Sequence, residues 1–132
     1  MPRIVQRQNY NGGSERIARL GLQMLWAELE EILTLFDLRV AEQRDANGGA
    51  AVRRLIDERF LVSQGWVKSQ TGGVDWRKCL TINGAQVCLG VEVQFSGRSE
   101  SLIVDVDHLR EAITSGSLDV GVVVVPSDSL SI

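Results

Sequence analysis

Asn83-Gly84 is the feature that most restricts the folds open to this chain. The favoured two-residue hairpin turn holds both central residues at positive φ, which Asn and Gly tolerate. The flanks 74–82 and 85–95 read as strands. With Asn83 and Gly84 as the turn, Cys79 faces Cys88 and Asp75 faces Glu92. Side chains alternate along a strand, so Asp75, Glu92 and Gln94 are expected on one face. The other face carries Val74, Trp76, Leu80, Ile82, Val87, Leu89, Val91, Val93 and Phe95, interrupted by Lys78.

Two carboxylates in register on a hairpin point to metal chemistry. Directly opposed residues have Cβ atoms roughly 4.5–5.5 Å apart, and like charges there destabilise the pair. A shared Mg²⁺ turns that repulsion into ligation, because hard divalent ions take carboxylate oxygens and keep several waters. Such an ion polarises a phosphoryl oxygen and lowers the pKa of a bound water. The Gln94 amide can hold a water or a phosphate oxygen, but it cannot act as a charged base. The plainer alternative is a partly exposed acidic sheet face, with Asp75 paired to Arg77 or Arg98.

The rest of the chain supplies the frame. Residues 1–13 read as an irregular lead-in. From Ser14, a candidate cap, Ile17, Leu20, Leu22, Leu25, Leu29, Ile32 and Leu33 recur at helical spacing, with Gly21 as an interruption. Residues 41–49 form a loop ending in Asn47-Gly48-Gly49. A helix over 50–62 follows, with Val52, Leu55, Ile56, Phe60 and Val62 as its apolar stripe. Helical carboxylates Glu28, Glu30, Glu31 and Glu58 are candidate additional ligands. The simpler reading is a solvated face for the first three and an Arg54–Glu58 ion pair for the last. Arg53, Arg54 and Arg59 read one by one as solvated surface charges.

Trp66-Val67-Lys68 reads as a first strand and Gly72-Gly73 as a turn. Leu102–Val106 is open between strand and helix, and 107–114 is helical, stopped by Gly116. The sole histidine, His108, is expected at a surface or an interface rather than in catalysis. Val120–Val125 is a β-branched run without alternation, the pattern of a strand covered on both faces and joined by a crossover. Pro126 ends it. The order predicts an α/β fold, a mixed sheet flanked by helices.

Composition narrows the class. A length of 132 residues predicts one domain spanning 1–132. The 44% hydrophobic and 23% charged content is that of a globular protein, and no run approaches eighteen apolar residues. No signal-peptide segment follows Met1, so the expected location is the cytoplasm. Two cysteines form no disulfide framework and lack the partners zinc requires. The register permits a cross-strand bridge, but two buried thiols are the expectation in a reducing compartment. A net charge of −3 counts against nucleic-acid binding without deciding it, since acidic metal ligands contribute to the total.

Val74-Asp75 followed by Val91-Glu92-Val93-Gln94-Phe95-Ser96 resembles the BglII-like type II restriction endonucleases, the BglII/BamHI group of the PD-(D/E)XK nuclease superfamily. The resemblance includes a Glu-x-Gln variant of the usual Glu-x-Lys. Asn9-Tyr10-Asn11 and Leu25-Trp26-Ala27-Glu28-Leu29-Glu30-Glu31 are similar to the opening of that family. Val74 departs from it, standing where the superfamily name has Pro. The resemblance implies that Asp75, Glu92 and the Val93 carbonyl hold a catalytic Mg²⁺, for which Mn²⁺ substitutes, and that Gln94 positions the attacking water. It also implies double-stranded DNA as substrate, 5′-phosphate and 3′-hydroxyl products, a homodimer matched to a palindromic site, and at most a dimer contact for His108. Relatives continue past the position of Ile132, so the chain is expected to be a C-terminally incomplete catalytic core.

Three functions fit these residues. The first is a Mg²⁺-dependent restriction endonuclease. The second is a non-catalytic nuclease-like domain that binds DNA or protein, and the third is a metal-dependent hydrolase of another phosphate ester.

Overall fold

The computed structural model describes residues 4, 7–9, 12–34, 48–69, 74–95 and 99–126. The Gly72-Gly73 turn, the loop 41–47, Tyr10-Asn11, Ser96 and Arg98 lie outside the described residues. The elements run α1 (Gly13–Arg19), α2 (Gln23–Thr34), α3 (Gly48–Val62), β1 (Val67–Lys68), β2 (Trp76–Ile82), β3 (Ala85–Val93), α4 (Ser99–Thr114) and β4 (Val120–Val124). Among the described residues the fold is α/β, a four-stranded mixed sheet with helices against it, consistent with a restriction-endonuclease-like architecture.

The hairpin follows its turn chemistry. Asn83 takes φ 52° and Gly84 φ 81°, and the ladder runs from Ile82↔Ala85 through Cys79↔Cys88 to Trp76↔Val91. β1 joins the outer edge of β2 antiparallel, and β4 lies parallel to β3 after the α4 crossover, giving the order β1-β2-β3-β4. Cys79 and Cys88 form a disulfide. The expectation of two free thiols gives way here, because the turn leaves the two sulfurs directly opposite one another.

One sheet face packs against α2 and α3. Leu25, Leu29 and Ile32 recur at helical spacing on α2, as do Val52, Ile56 and Phe60 on α3, and all are buried. They meet Trp76, Val87, Leu89, Val91 and Val93. Phe60 stacks on Trp76 with centroids 4.9 Å apart and meets Trp66 edge-on. Lys78, the apparent interruption of this face, is neutralised: its ammonium donates to Glu28 Oε1 at 2.7 Å and to the Gln64 carbonyl at 2.8 Å. Glu28 also accepts from Trp66 Nε1. It is therefore a structural ion-pair residue, neither simply solvated nor a ligand, while Glu31 and Glu58 are exposed.

The opposite face packs against α4. Leu109 and Leu118 are buried with Cys88 and Val74, and Ala112, Ile113 and Val123 pack against them. Gly90 permits this close approach, since a Cβ there would lie 2.4 Å from Leu118 Cδ1 and 3.0 Å from Val74 Cγ1. Val74 corrects the strict alternation: it joins the α4 cluster because the chain leaves strand geometry before Trp76. Several boundaries also differ: the strands are one or two residues shorter than expected, at Val67–Lys68, Trp76–Ile82, Ala85–Val93 and Val120–Val124. The first helical run splits at Leu20–Gly21, α1 is entered through Gly12 with Asn9 Oδ1 accepting from the Ser14 N–H, and α3 starts at Gly48. Leu102–Val106 is helical, within α4. No helix among the described residues is long and apolar enough to cross a membrane.

Candidate active site

The C-terminal end of β3 brings the candidate residues together. Asp75 precedes β2, Glu92 and Val93 close β3, and Gln94 follows, its N–H donating to the Val124 carbonyl. The Asp75 N–H donates to Glu92 Oε1 at 3.1 Å, and the Val93 N–H donates to Asp75 Oδ2 at 2.8 Å. Each carboxylate therefore grips the other residue's strand. The two side chains nonetheless look to different helices.

Asp75 looks toward α3. Arg53 Nη2 lies 3.2 Å from Asp75 Oδ2, and Arg53 Nη1 donates to the Val93 carbonyl. Asp57, one turn along α3, accepts from Arg53 Nε at 3.2 Å and from Trp76 Nε1 at 2.8 Å. A guanidinium thus spans two of the oxygens that the family resemblance implies for a cation. Arg53 is not the solvated surface charge expected of it. The sequence signal that could have found it is the Arg53–Asp57 spacing of four on a helix whose stripe faces the sheet.

Glu92 looks toward α4, and only 2% of its side chain is exposed. His108 Nδ1 lies 3.9 Å from Glu92 Oε1, within ion-pair reach when the imidazole is protonated. Gln94 Nε2 donates to Asp105 Oδ2 at 2.7 Å. Burial is the largest influence pushing the Glu92 carboxyl up from its ordinary 4.5 to about 8. The hydrogen bond with Asp105 and the negative charges of Asp75 and Asp105 act the same way, while the Asp75 N–H opposes them. The metal-free side chain therefore holds a proton at neutral pH.

Asp105 and His108 were missing from the sequence-based site. Their spacing of three on one helix was the available signal, but it became usable only once Leu102–Val106 was known to be helical. A carboxylate buried without a permanent counter-charge, beside a second carboxylate and a backbone carbonyl, fits a divalent cation by its donor chemistry.

A mixed sheet carrying an acidic cluster at the end of a hairpin strand defines the class: an α/β domain with a candidate metal site. More narrowly, the restriction endonuclease BglII/BglIII family model matches residues 5–132, and the chain belongs to that family. Membership places it among DNA-cleaving nucleases. A comparison with curated proteins finds no match.

Proposed function

We propose that the chain is the catalytic core of a Mg²⁺-dependent type II restriction endonuclease that hydrolyses phosphodiester bonds of double-stranded DNA. The observation that carries this reading is the strand end where the Asp75 N–H donates to Glu92 and the Val93 N–H donates to the Asp75 carboxylate, in a chain of the BglII/BglIII family. Asp75, Glu92 and the Val93 carbonyl would hold the ion, with Mn²⁺ as a substitute. A divalent ion bound there would polarise a phosphoryl oxygen and lower the pKa of a water. Gln94, its amide fixed by Asp105, would orient a water for in-line attack on phosphorus. The water oxygen would form a new P–O bond as the P–O3′ bond breaks, and a water proton would pass through solvent to the 3′ oxygen, leaving a 5′-phosphate and a 3′-hydroxyl.

Arg53 keeps the Asp75 carboxylate and the Val93 carbonyl converged, and Asp57 anchors the guanidinium from behind. Two copies would act together, one site per DNA strand. Supporting this, Leu102, Ile103 and Val106 form an exposed apolar stripe on α4, of a kind that marks interaction surfaces.

The test is cleavage of supercoiled plasmid with Mg²⁺ or Mn²⁺. Wild type should cut, and Glu92→Ala should not, with both giving the same far-UV circular dichroism. Cleavage by Glu92→Ala with unchanged metal dependence refutes the assignment. Absence of cleavage by wild type, with metal binding at background, leaves the non-catalytic binding domain.

A further inference from the structure

We propose that α4 adds a nitrogen-bearing half to this centre: Asp105 and His108 join Glu92 as ligands for a divalent transition ion of the Mn²⁺ or Co²⁺ class. One ligand atom from each of the three side chains lies within 4.8 Å of the other two, and among the described residues this is the grouping that meets the condition. Asp75 stands outside it, held by Arg53.

Helix geometry makes the pairing possible. Residues three apart share a helix face, and α4 turns that face to the sheet beside Glu92. The next residue, Leu109, packs with Cys88 and Leu118, so the hydrophobic contact that docks the helix also sets the position of the two polar side chains.

His108 carries the second, independent observation. Its Nδ1 is buried and has no hydrogen-bond partner, although it faces Glu92 Oε1 at 3.9 Å. A buried nitrogen without a hydrogen bond is costly, and its residue belongs to the same cluster as the Glu92 and Asp105 carboxylates. Asp105 is already oriented for the task by the Gln94 amide at 2.7 Å, the kind of outer hydrogen bond that fixes a ligating carboxylate.

The donor set indicates which ion. Mg²⁺ prefers all-oxygen surroundings, whereas first-row divalent ions add imidazole to carboxylates, with an affinity that rises from Mn²⁺ to Co²⁺. With one imidazole and two carboxylates, the α4 half favours Mn²⁺ or Co²⁺ over Mg²⁺. Glu92 belongs to both ligand sets, so the role of this half in cleavage rests on the nuclease reading. Its capacity to bind metal does not.

The chain contains a single histidine, which makes the experiment unambiguous. Untagged protein is loaded with Mn²⁺ and examined by electron spin-echo envelope modulation for coordinated ¹⁴N. Wild type should show imidazole nitrogen coupling, and His108→Ala should lose it. By calorimetry, His108→Ala and Asp105→Asn should each weaken Mn²⁺ binding about tenfold to a hundredfold, and His108→Ala should change Mg²⁺ binding less than threefold.

Circular dichroism of the variants must match wild type; Asp105→Asn, which keeps the side-chain shape, carries the affinity test if His108→Ala does not fold. Mn²⁺ binding without nitrogen coupling, coupling that survives His108→Ala, or no Mn²⁺ binding at all overturns the inference. Plasmid cleavage measured in parallel separates the two readings. Cleavage without nitrogen coupling removes only this inference, and nitrogen coupling without cleavage under any ion removes only the nuclease reading.

Discussion

Replacing Glu92 by glutamine keeps the buried side chain's shape and removes its titration. In the folded metal-free chain this carboxyl is pushed up to about 8, against 4.5 in an unperturbed setting. Between those values the native state holds a proton that the unfolded chain has released. Stability of the metal-free protein therefore falls as pH rises through this window, by at most about 1.4 kcal/mol per pH unit from this group, and levels off above pH 8.

Across the window, the ceiling is on the order of 5 kcal/mol, and relaxation around the ionised group lowers the expected difference to about 2–4 kcal/mol. Glutamine reproduces the protonated form: its oxygen can accept from the Asp75 N–H and its amide can donate to Asp105. The assay is urea unfolding from pH 5 to 9 in chelator. At pH 5 the two proteins should agree within about 1 kcal/mol, and at pH 8.5 Glu92→Gln should be the more stable. Excess Mn²⁺ should reverse that order, because wild type alone keeps the full ligand set. A stability difference independent of pH would show that Glu92 is ionised throughout, and the reasoning would fail.

Gly90→Ala should destabilise by about 1–3 kcal/mol through overpacking against Leu118 and Val74, measurable as a lower urea midpoint. Reducing the Cys79–Cys88 bridge, nine positions apart, should cost about 2 kcal/mol and lower the melting temperature; an unchanged midpoint in reductant would count against a stabilising bridge. Ile103→Asp should shift the chain toward monomer in sedimentation, whereas a wild type already monomeric at every concentration would remove the α4 stripe as a dimer surface.

The hairpin and the parallel crossover were legible because their causes are local. Asn83-Gly84 sets its own register, and the unalternated Val120–Val125 run marks the parallel strand β4, although of it only Val120 is buried and Val125 is exposed beyond the strand's end. The nearness of Asp75 to Glu92 follows from that register, but the shared face expected of them does not hold, since Asp75 is turned to Arg53 on α3 and Glu92 to His108 on α4. What lay hidden depends on how helices dock. Arg53 reads as a surface charge until α3 packs its Val52–Ile56–Phe60 stripe on the sheet and carries Arg53 to the strand end. Asp105 and His108 read as helix polar residues until Gly90 admits Leu118 and α4 settles against Cys88. Lys78 looked like a flaw in an apolar face, and only the approach of α2, with Glu28, explains it.

These docking contacts resolve a problem the sequence poses without answering. Acids brought together in a low-dielectric site should repel and unfold the chain unless each finds a positive partner or a proton. Here Arg53 neutralises Asp75, and a proton neutralises Glu92. Each partner stands in for a cation on one of the two sides of the same strand end. Both are exchangeable, unlike a tightly packed apolar replacement. A cation that takes these oxygens must release the proton and part Arg53 from Asp75 and the Val93 carbonyl, so its affinity should rise with pH up to about 8 and then flatten. Exchanging like charge for like charge lets a cation enter without a large rearrangement, in keeping with Glu92 and Val93 lying on a strand paired on its β4 side.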